Sequence, residues 1–289
     1  MLKTVKLLTL ALAFGALSFA GHALAAGDAL VQGRSEPWQM WFQPAGSPVM
    51  ERIMEFHDLL FIIEVGTVVF VLAIMAYIIV RFNAKSNPVP SKTTHNTLLE
   101  VIWTAVPVLI LIMIAVPSLK LLYFADSTRD AEMTLKVTGN QWYWSYAYPD
   151  NGDIEFDSII VPDEELKKGQ PRMLTVDNEV VLPIKTNVRL LLTSNDVIHN
   201  WAVPSLGLKL DTTPGRTNET WVNINKEGDY YGMCSELCGV NHGFMPIHIR
   251  AVSKADYEAW TKTAKEEFAA NDKIEDRAIQ VVSAAAATR

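Results

Sequence analysis

Two long apolar runs separated by a short polar stretch constrain this chain more than any other feature. Leu59 to Val80 holds one ionisable residue, Glu64, and as a helix would extend roughly 33 Å, enough to cross the hydrocarbon core of a bilayer. Val101 to Leu119 would extend roughly 28 Å and contains Pro107 and Pro117, which a membrane helix tolerates where neighbouring groups satisfy the freed carbonyls. Transmembrane helices are therefore predicted over residues 59–81 and 99–124. The connecting loop, 82–98, follows Arg81 and carries Lys85 and Lys92 with no acid until Glu100, whereas 26–58 sets Arg34 and Arg52 against Asp28, Glu36, Glu51, Glu55 and Asp58. Basic residues favour the cytoplasmic side, so the loop is placed inside and everything after residue 124 outside. The N-terminus agrees with that orientation. Lys3 and Lys6, the apolar run Leu7 to Phe19 and the small residues Ala23-Leu24-Ala25-Ala26 form the three parts of a secretory signal peptide, with residues 1–25 removed. A two-helix hairpin has little interior of its own, so it is expected to pack on a larger membrane partner. Glu64 would hydrogen-bond to that partner, and Glu100 lies at the cytoplasmic end of the second span.

The external part, 125–253, has the pattern of short strands. Met133, Leu135 and Val137 alternate, as do Ile247, Ile249 and Ala251, while Val188 to Thr193 and Trp221 to Ile224 are short β-rich runs. Pro149-Asp150-Asn151-Gly152-Asp153 and Thr213-Pro214-Gly215 are turns, because proline fixes φ and glycine accepts positive φ. A β-sandwich or Greek-key barrel follows. After Ser253, an N-cap with Asp256 at the capping-box position, residues 254–289 read as a polar helix and an Ala-rich tail. The net charge of −7 resides in this external half, which speaks against nucleic acid and for a basic protein partner.

The chain has two cysteines, too few for a disulfide-dense scaffold or a four-cysteine metal site, and both lie in Cys234-Ser235-Glu236-Leu237-Cys238-Gly239-Val240-Asn241-His242-Gly243-Phe244-Met245. Thiols, an imidazole and a thioether within one loop are donors suited to copper, whereas magnesium or calcium would require oxygens. His199, in Asp196-Val197-Ile198-His199-Asn200-Trp201, supplies a second imidazole from a strand end. A mononuclear blue-copper site would leave one thiolate over, whereas two coppers bridged by both thiolates would use every donor and favour electron transfer. A disulfide between Cys234 and Cys238 is the alternative without metal, permitted in an oxidising exterior.

These two segments, together with Gln141-Trp142-Tyr143-Trp144-Ser145-Tyr146, resemble subunit II of the haem-copper cytochrome c oxidases, and the resemblance runs from about residue 35 to 260. It implies a membrane-anchored α+β architecture, a two-helix transmembrane hairpin followed by an external all-β cupredoxin-like Greek-key barrel. It further implies a binuclear copper (CuA) centre: Cys234 and Cys238 bridging the metals, His199 and His242 binding one each, Met245 a weak ligand and Glu236 ligating through its backbone oxygen. The Glu236 carboxylate would help to bind magnesium at the boundary with subunit I. Trp142 would be the point where electrons arrive from cytochrome c, with Asp150, Asp157 and Asp196 as docking acids, and Glu100 would stand at the entrance of a proton path into subunit I. A third subunit and a bacterial plasma membrane complete the implied setting. The chain departs from the family's usual pattern in having Asn140 in place of His and Ala147 in place of an acid.

Overall fold

A computed structural model describes residues 31–268 except 129 and 153; the signal peptide and the Ala-rich tail expected from the sequence lie outside the described residues. Helix α1 runs from Pro48 to Arg81 and α2 from Thr97 to Asp126. Both outrun their apolar stretches. Helix α1 begins at Pro48, well before Leu59, because Ser47-Pro48 is a start signal: proline suits the first helical position, and the Ser47 hydroxyl accepts the Met50 N–H at 3.1 Å. At the start of α2 the Asn96 side chain accepts the Leu98 and Leu99 N–H groups at 3.1 and 3.2 Å, and the helix continues through Pro107 and Pro117. No residue in the most apolar window of either helix is buried within the chain, so these surfaces need lipid or another apolar partner to cover them.

The remainder is a sandwich of two sheets. Its strands are β1 (Val31–Gly33), β2 (Met133–Asn140), β3 (Tyr143–Tyr148), β4 (Ile154–Ser158), β5 (Val180–Pro183), β6 (Val188–Ser194), β7 (His199–Val203), β8 (Leu208–Thr212), β9 (Asn218–Val222), β10 (Gly228–Cys234) and β11 (Pro246–Val252). One sheet has the order β5-β11-β10-β7-β8, with β1 added in parallel to β10; the other has the order β4-β3-β2-β6-β9. The expected alternation holds. Met133, Leu135 and Val137 of β2, Val188, Leu190 and Leu192 of β6, and Ile247, Ile249 and Ala251 of β11 all face the core, joined there by Trp144, Tyr146 and Trp201. The run expected at Trp221 to Ile224 pairs two to three residues earlier, since β9 takes its register from β6 (Val188 opposite Val222) and leaves the buried Ile224 in the following loop.

The hairpin is fastened to the sandwich by polar contacts. Ser47 Oγ also donates to the Leu206 carbonyl at 2.7 Å, Gly46 N–H donates to the Ser205 carbonyl at 2.8 Å, and the Asn225 amide donates to Glu51 Oε1 at 2.8 Å. Arg52 stacks 3.4 Å above the Phe124 ring, and the Trp221 indole N–H donates to the Phe124 carbonyl. Helix α3 (Lys254–Phe268) begins as expected, with Ser253 Oγ accepting the Asp256 N–H at 3.1 Å. Its Tyr257, Trp260 and Phe268 cover Tyr148 and Phe156 at one end of the sandwich. The opposite end gathers the ends of β2, β6 and β10 with the starts of β3, β7 and β11.

Candidate metal centre

At that opposite end, the strand pairing brings the two metal-ligand segments together. Cys234, the last residue of β10, lies opposite Trp201 of β7, and His199 opens the same strand β7. The chain then leaves β10, forms the loop bearing Glu236 and Cys238, makes a 3-10 turn at His242–Phe244 and re-enters the sheet at Pro246 just after Met245. Gly239 permits this path: its φ is +129°, and any side chain there would press within 2.8 Å of the Trp142 ring.

The donor atoms converge. The thiols of Cys234 and Cys238 are 3.8 Å apart and form no disulfide, which corrects the alternative left open by their spacing. His199 Nδ1 lies 3.9 Å from Cys234 Sγ, and His242 Nδ1 lies 3.5 Å from Cys238 Sγ. Met245 Sδ is 3.6 Å from Cys238 Sγ, and the Glu236 carbonyl oxygen is 3.4 Å from Cys234 Sγ. Each sulfur therefore faces one imidazole, with a thioether on one side and a carbonyl on the other. His199, Cys234 and Cys238 are buried, and their donor atoms fall within 4.8 Å of one another.

The surroundings fix the orientation of these groups. His199 Nε2 is 2.8 Å from Asp196 Oδ1, so its Nδ1 is the nitrogen that points at the sulfurs. The other Asp196 oxygen accepts the Gln141 backbone N–H at 2.6 Å. Gln141 Nε2 and the Trp142 indole N–H both donate to the Cys238 carbonyl, at 2.7 and 3.3 Å. Trp144 donates to the Met245 carbonyl at 3.1 Å and presents its edge to the His199 ring. At Gly139 a Cβ would come within 2.8 Å of the His199 ring, so the ring occupies space that any side chain at this position would need. Burial pushes His199 down, but its contacts with the Cys234 sulfur and the Asp196 carboxylate outweigh that effect and raise the imidazole above its ordinary value. Burial likewise pushes the Cys234 thiol up, but its contacts with His199 and with the Asn200 and Glu236 backbone outweigh that effect and bring it down to about 7. Burial and the neighbouring Cys234 push Cys238 up to about 12.

Of the other residues singled out from sequence, some join this site and some do not. Trp142 is half-buried beside Cys238, as described. Asp196 proves to be a supporting residue for His199. Asp157, on β4, accepts the Ser145 hydroxyl at 2.6 Å, and the charges of Asp157 and Asp196, after burial, raise the phenol of Tyr143 next to Trp142. Asp150 does not join them: it accepts the Thr134 N–H at the start of β2, roughly 20 Å along that strand from Asn140 at ~3.4 Å per residue. Asn140 is buried and bonded to Ser145 and Asn195, and Ala147 lies across from Lys136 and Glu155. Glu100 is in the first turn of α2, and Glu64 is exposed on the surface of α1. Gln141 and Trp144 belong to the aromatic motif but were given no role of their own from sequence, and Gly139, just ahead of that motif, was not singled out. Around the mouth of the site, Ile198, Leu237, Val240 and Phe244 are exposed, Leu237 by 79% and Val240 by 71%.

Comparison with known proteins gives a consistent family. Residues 35–121 match the model for the cytochrome c oxidase subunit II transmembrane domain, and residues 133–252 match that for the cytochrome c oxidase subunit II periplasmic domain. The chain is 54% identical over 235 residues to the probable cytochrome c oxidase subunit 2 of Rickettsia bellii, covering 81% of this chain and 87% of that one. It is 50% identical over 233 residues to cytochrome c oxidase subunit 2 of Phytophthora megasperma, covering 79% and 88%. Among solved structures, the periplasmic domain of cytochrome oxidase subunit II from Bradyrhizobium japonicum matches with 51% identity and a TM-score of 0.47, over 49% of this chain and 99% of that one.

Proposed function

Since the chain belongs to the cytochrome c oxidase subunit II family, we propose that it is the subunit that accepts electrons from cytochrome c and delivers them to haem in subunit I, where oxygen is reduced to water with proton pumping. The observation that carries this reading is the convergence of two unbridged thiols, two imidazole Nδ1 atoms, a thioether and a backbone carbonyl at one end of the sandwich. That inventory fits a CuA centre. Cys234 and Cys238 would hold both metals, His199 and His242 one each, and Met245 and the Glu236 carbonyl would complete the set. When bound, such a copper pair takes up and releases one electron at a time.

The chain's own residues supply the rest. Asp196 fixes the tautomer and ring plane of His199 through Nε2, and Trp144 fixes the carbonyl of Met245. Burial of the sulfurs keeps water away from them. The Trp142 indole is hydrogen-bonded to the backbone of Cys238, which gives an aromatic side chain at the surface a direct contact with a ligand residue, and this supports Trp142 as the place where electrons arrive. Asp157 and Asp196 lie near it and supply negative potential for a basic cytochrome c; Asp150 is too far along β2 to share that surface. The exposed apolar rim of Ile198, Leu237, Val240 and Phe244 is of the kind that a protein partner covers, and the exposed side chain of Glu236 within it is available to a magnesium ion shared with subunit I. Glu100, in the first turn of α2, would serve the proton path, and subunit III would complete the membrane complex. Two spans with an acidic sandwich after them accord with a bacterial inner membrane and an external copper domain.

The test is copper stoichiometry and electron paramagnetic resonance of the full chain loaded with copper. Two coppers per chain sharing one unpaired electron are expected; a single copper, or a spectrum localised on one metal, would refute the ligand assignment.

A further inference from the structure

Ahead of α1 the chain makes a turn that braces itself and presents large apolar side chains outward. The Gln39 N–H donates to the Glu36 carbonyl at 3.1 Å, its side-chain oxygen accepts the Glu36 N–H at 2.9 Å, and its amide donates to the Phe42 carbonyl at 2.6 Å. One residue thus bonds both sides of the turn, and Trp38 and Met40 stand out from it, 98% and 96% exposed. Trp41 and Phe42 turn back onto α1: Trp41 packs edge-on against His57 and Phe61 with ring centroids 4.9 and 5.4 Å apart, and Phe42 against His57 at 4.7 Å.

The height of this contact along the hairpin can be read independently from α2. Arg52 stacks on Phe124, so in an antiparallel pair with equal rise, residue 56 of α1 lies level with Lys120 of α2. On α1 that level is where Glu55 and Asp58 give way to the apolar run beginning at Leu59; on α2 it carries the exposed Lys120, the one charged side chain between Glu100 and Asp126. Helix α1 thus changes from apolar to polar, and α2 places its one interior charge, at the height at which Trp41 and Phe42 are held. Tyr123, 70% exposed one turn beyond Leu119, stands at the same border. Aromatic rings and lysine together are the side chains that settle at the boundary between hydrocarbon and water, the rings among the ester carbonyls and the ammonium among the phosphates.

We propose that Trp38–Phe42 is an interfacial anchor, seated in the headgroup and carbonyl layer of the bilayer leaflet next to the sandwich. Its occupant is phospholipid, because Trp41 packs against Phe61, within the apolar membrane-spanning run of α1, and so holds the patch at the level where that run leaves the bilayer. The anchor sets the height of the hairpin, and with it the height of the metal end of the sandwich, since Gly46 and Ser47 join this segment directly to Ser205 and Leu206.

The assembled oxidase in lipid nanodiscs tests this by two footprints read residue by residue with mass spectrometry. One uses phospholipid with a photoreactive diazirine near the glycerol carbonyls, the other hydroxyl radicals generated in water. The expected result is carbene adducts on Trp38, Met40 or Trp41, several-fold more than from lipid carrying the diazirine at the chain end, with Met40 oxidised several-fold more slowly than in the denatured chain. A double variant, Trp38→Ser with Met40→Ser, should lose the adducts at those two positions without altering the copper spectrum, both side chains being free of packing. Rapid oxidation of Met40 with no carbene adduct would put the segment in water and overturn the proposal. Protection from both reagents would mean that a protein covers it, which would overturn it equally.

Discussion

The two ends of the β-sandwich are held in different ways. At the metal end, the contacts are directional: Asp196 to His199 and Gln141, Gln141 and Trp142 to the Cys238 carbonyl, Trp144 to the Met245 carbonyl, with Gly139 and Gly239 allowing close approach. At the far end, α3 lays Tyr257, Trp260 and Phe268 over Tyr148 and Phe156, a contact made chiefly by apolar area. Burial of area stabilises a fold but tolerates small displacements, whereas a metal site requires donor atoms to stay within fractions of an ångström. Substitutions at the metal end should therefore impair the site more than the fold, and those at the far end should do the reverse.

The largest effect is expected from Cys238→Ser. Cys238 Sγ touches Cys234, His242 and Met245, so the variant should lose the copper spectrum and the bound copper altogether. Denaturant unfolding of the metal-free proteins should nonetheless agree within about 1 kcal/mol, because the change replaces one buried atom by a smaller one without removing packing. A much larger loss would mean that the metal end also carries fold stability, and the contrast between the ends would fail.

Asp196→Asn should come next. The carboxylate accepts from four groups, with His199 Nε2, the Val197 N–H and the Ser194 hydroxyl on one oxygen and the Gln141 N–H on the other. An amide turns an NH2 toward one of these donors, and loss of such a supporting partner typically lowers metal affinity by roughly 10–100-fold. Competition against a copper chelator measures it. Unchanged affinity would show that the sulfurs alone define the site. At the far end, Tyr148→Phe removes a phenol that exchanges hydrogen bonds with the Val181 N–H and carbonyl, both at 3.1 Å, in a fully buried place. It should cost about 1–3 kcal/mol in denaturant unfolding, with the copper spectrum unaltered; a shifted spectrum would show that strain passes through the sandwich from end to end.

What could be read from the sequence follows the same division. The spans, the alternating strands and the start of α3 were legible because each depends on periodicity or a cap within a few residues, and the cluster of sulfur and imidazole donors was legible because such side chains are rare in the chain and all but His199 share one loop. The start of helix α1 at Pro48, ahead of the span placed at 59–81, was not legible in apolarity, which marks the width of a bilayer and not the start of a helix; Ser47 and Pro48 determine that. The support that Asp196 gives was missed because Gln141 meets it from 55 residues away and the His199 contact, though only three residues on, depends on how the turn between β6 and β7 folds. Gly139 and Gly239 were given no role for a similar reason: a glycine shows its purpose only when the ring that lies against it is known.

The smallest effects should come from the acids, and these sharpen the comparison most finely. Asp157 and Asp196 both act on Tyr143 beside Trp142, whereas Asp150 caps the start of β2 at the α3 end. Asp157→Asn should slow the second-order reaction with cytochrome c by a factor of about five at most, the effect of about 1 kcal/mol or less from a surface charge, and the difference from wild type should vanish as salt screens it. Asp150→Asn should leave both the rate and its salt dependence unchanged. Burial raises the Asp157 carboxyl, so its charge, present above its own titration point, is lost earlier as pH falls than that of an ordinary aspartate. The gap between wild type and Asp157→Asn should accordingly close on acidification before the overall salt dependence disappears. Equal effects from Asp150 and Asp157 would mean that cytochrome c senses the acidity of the whole sandwich and not the metal end in particular.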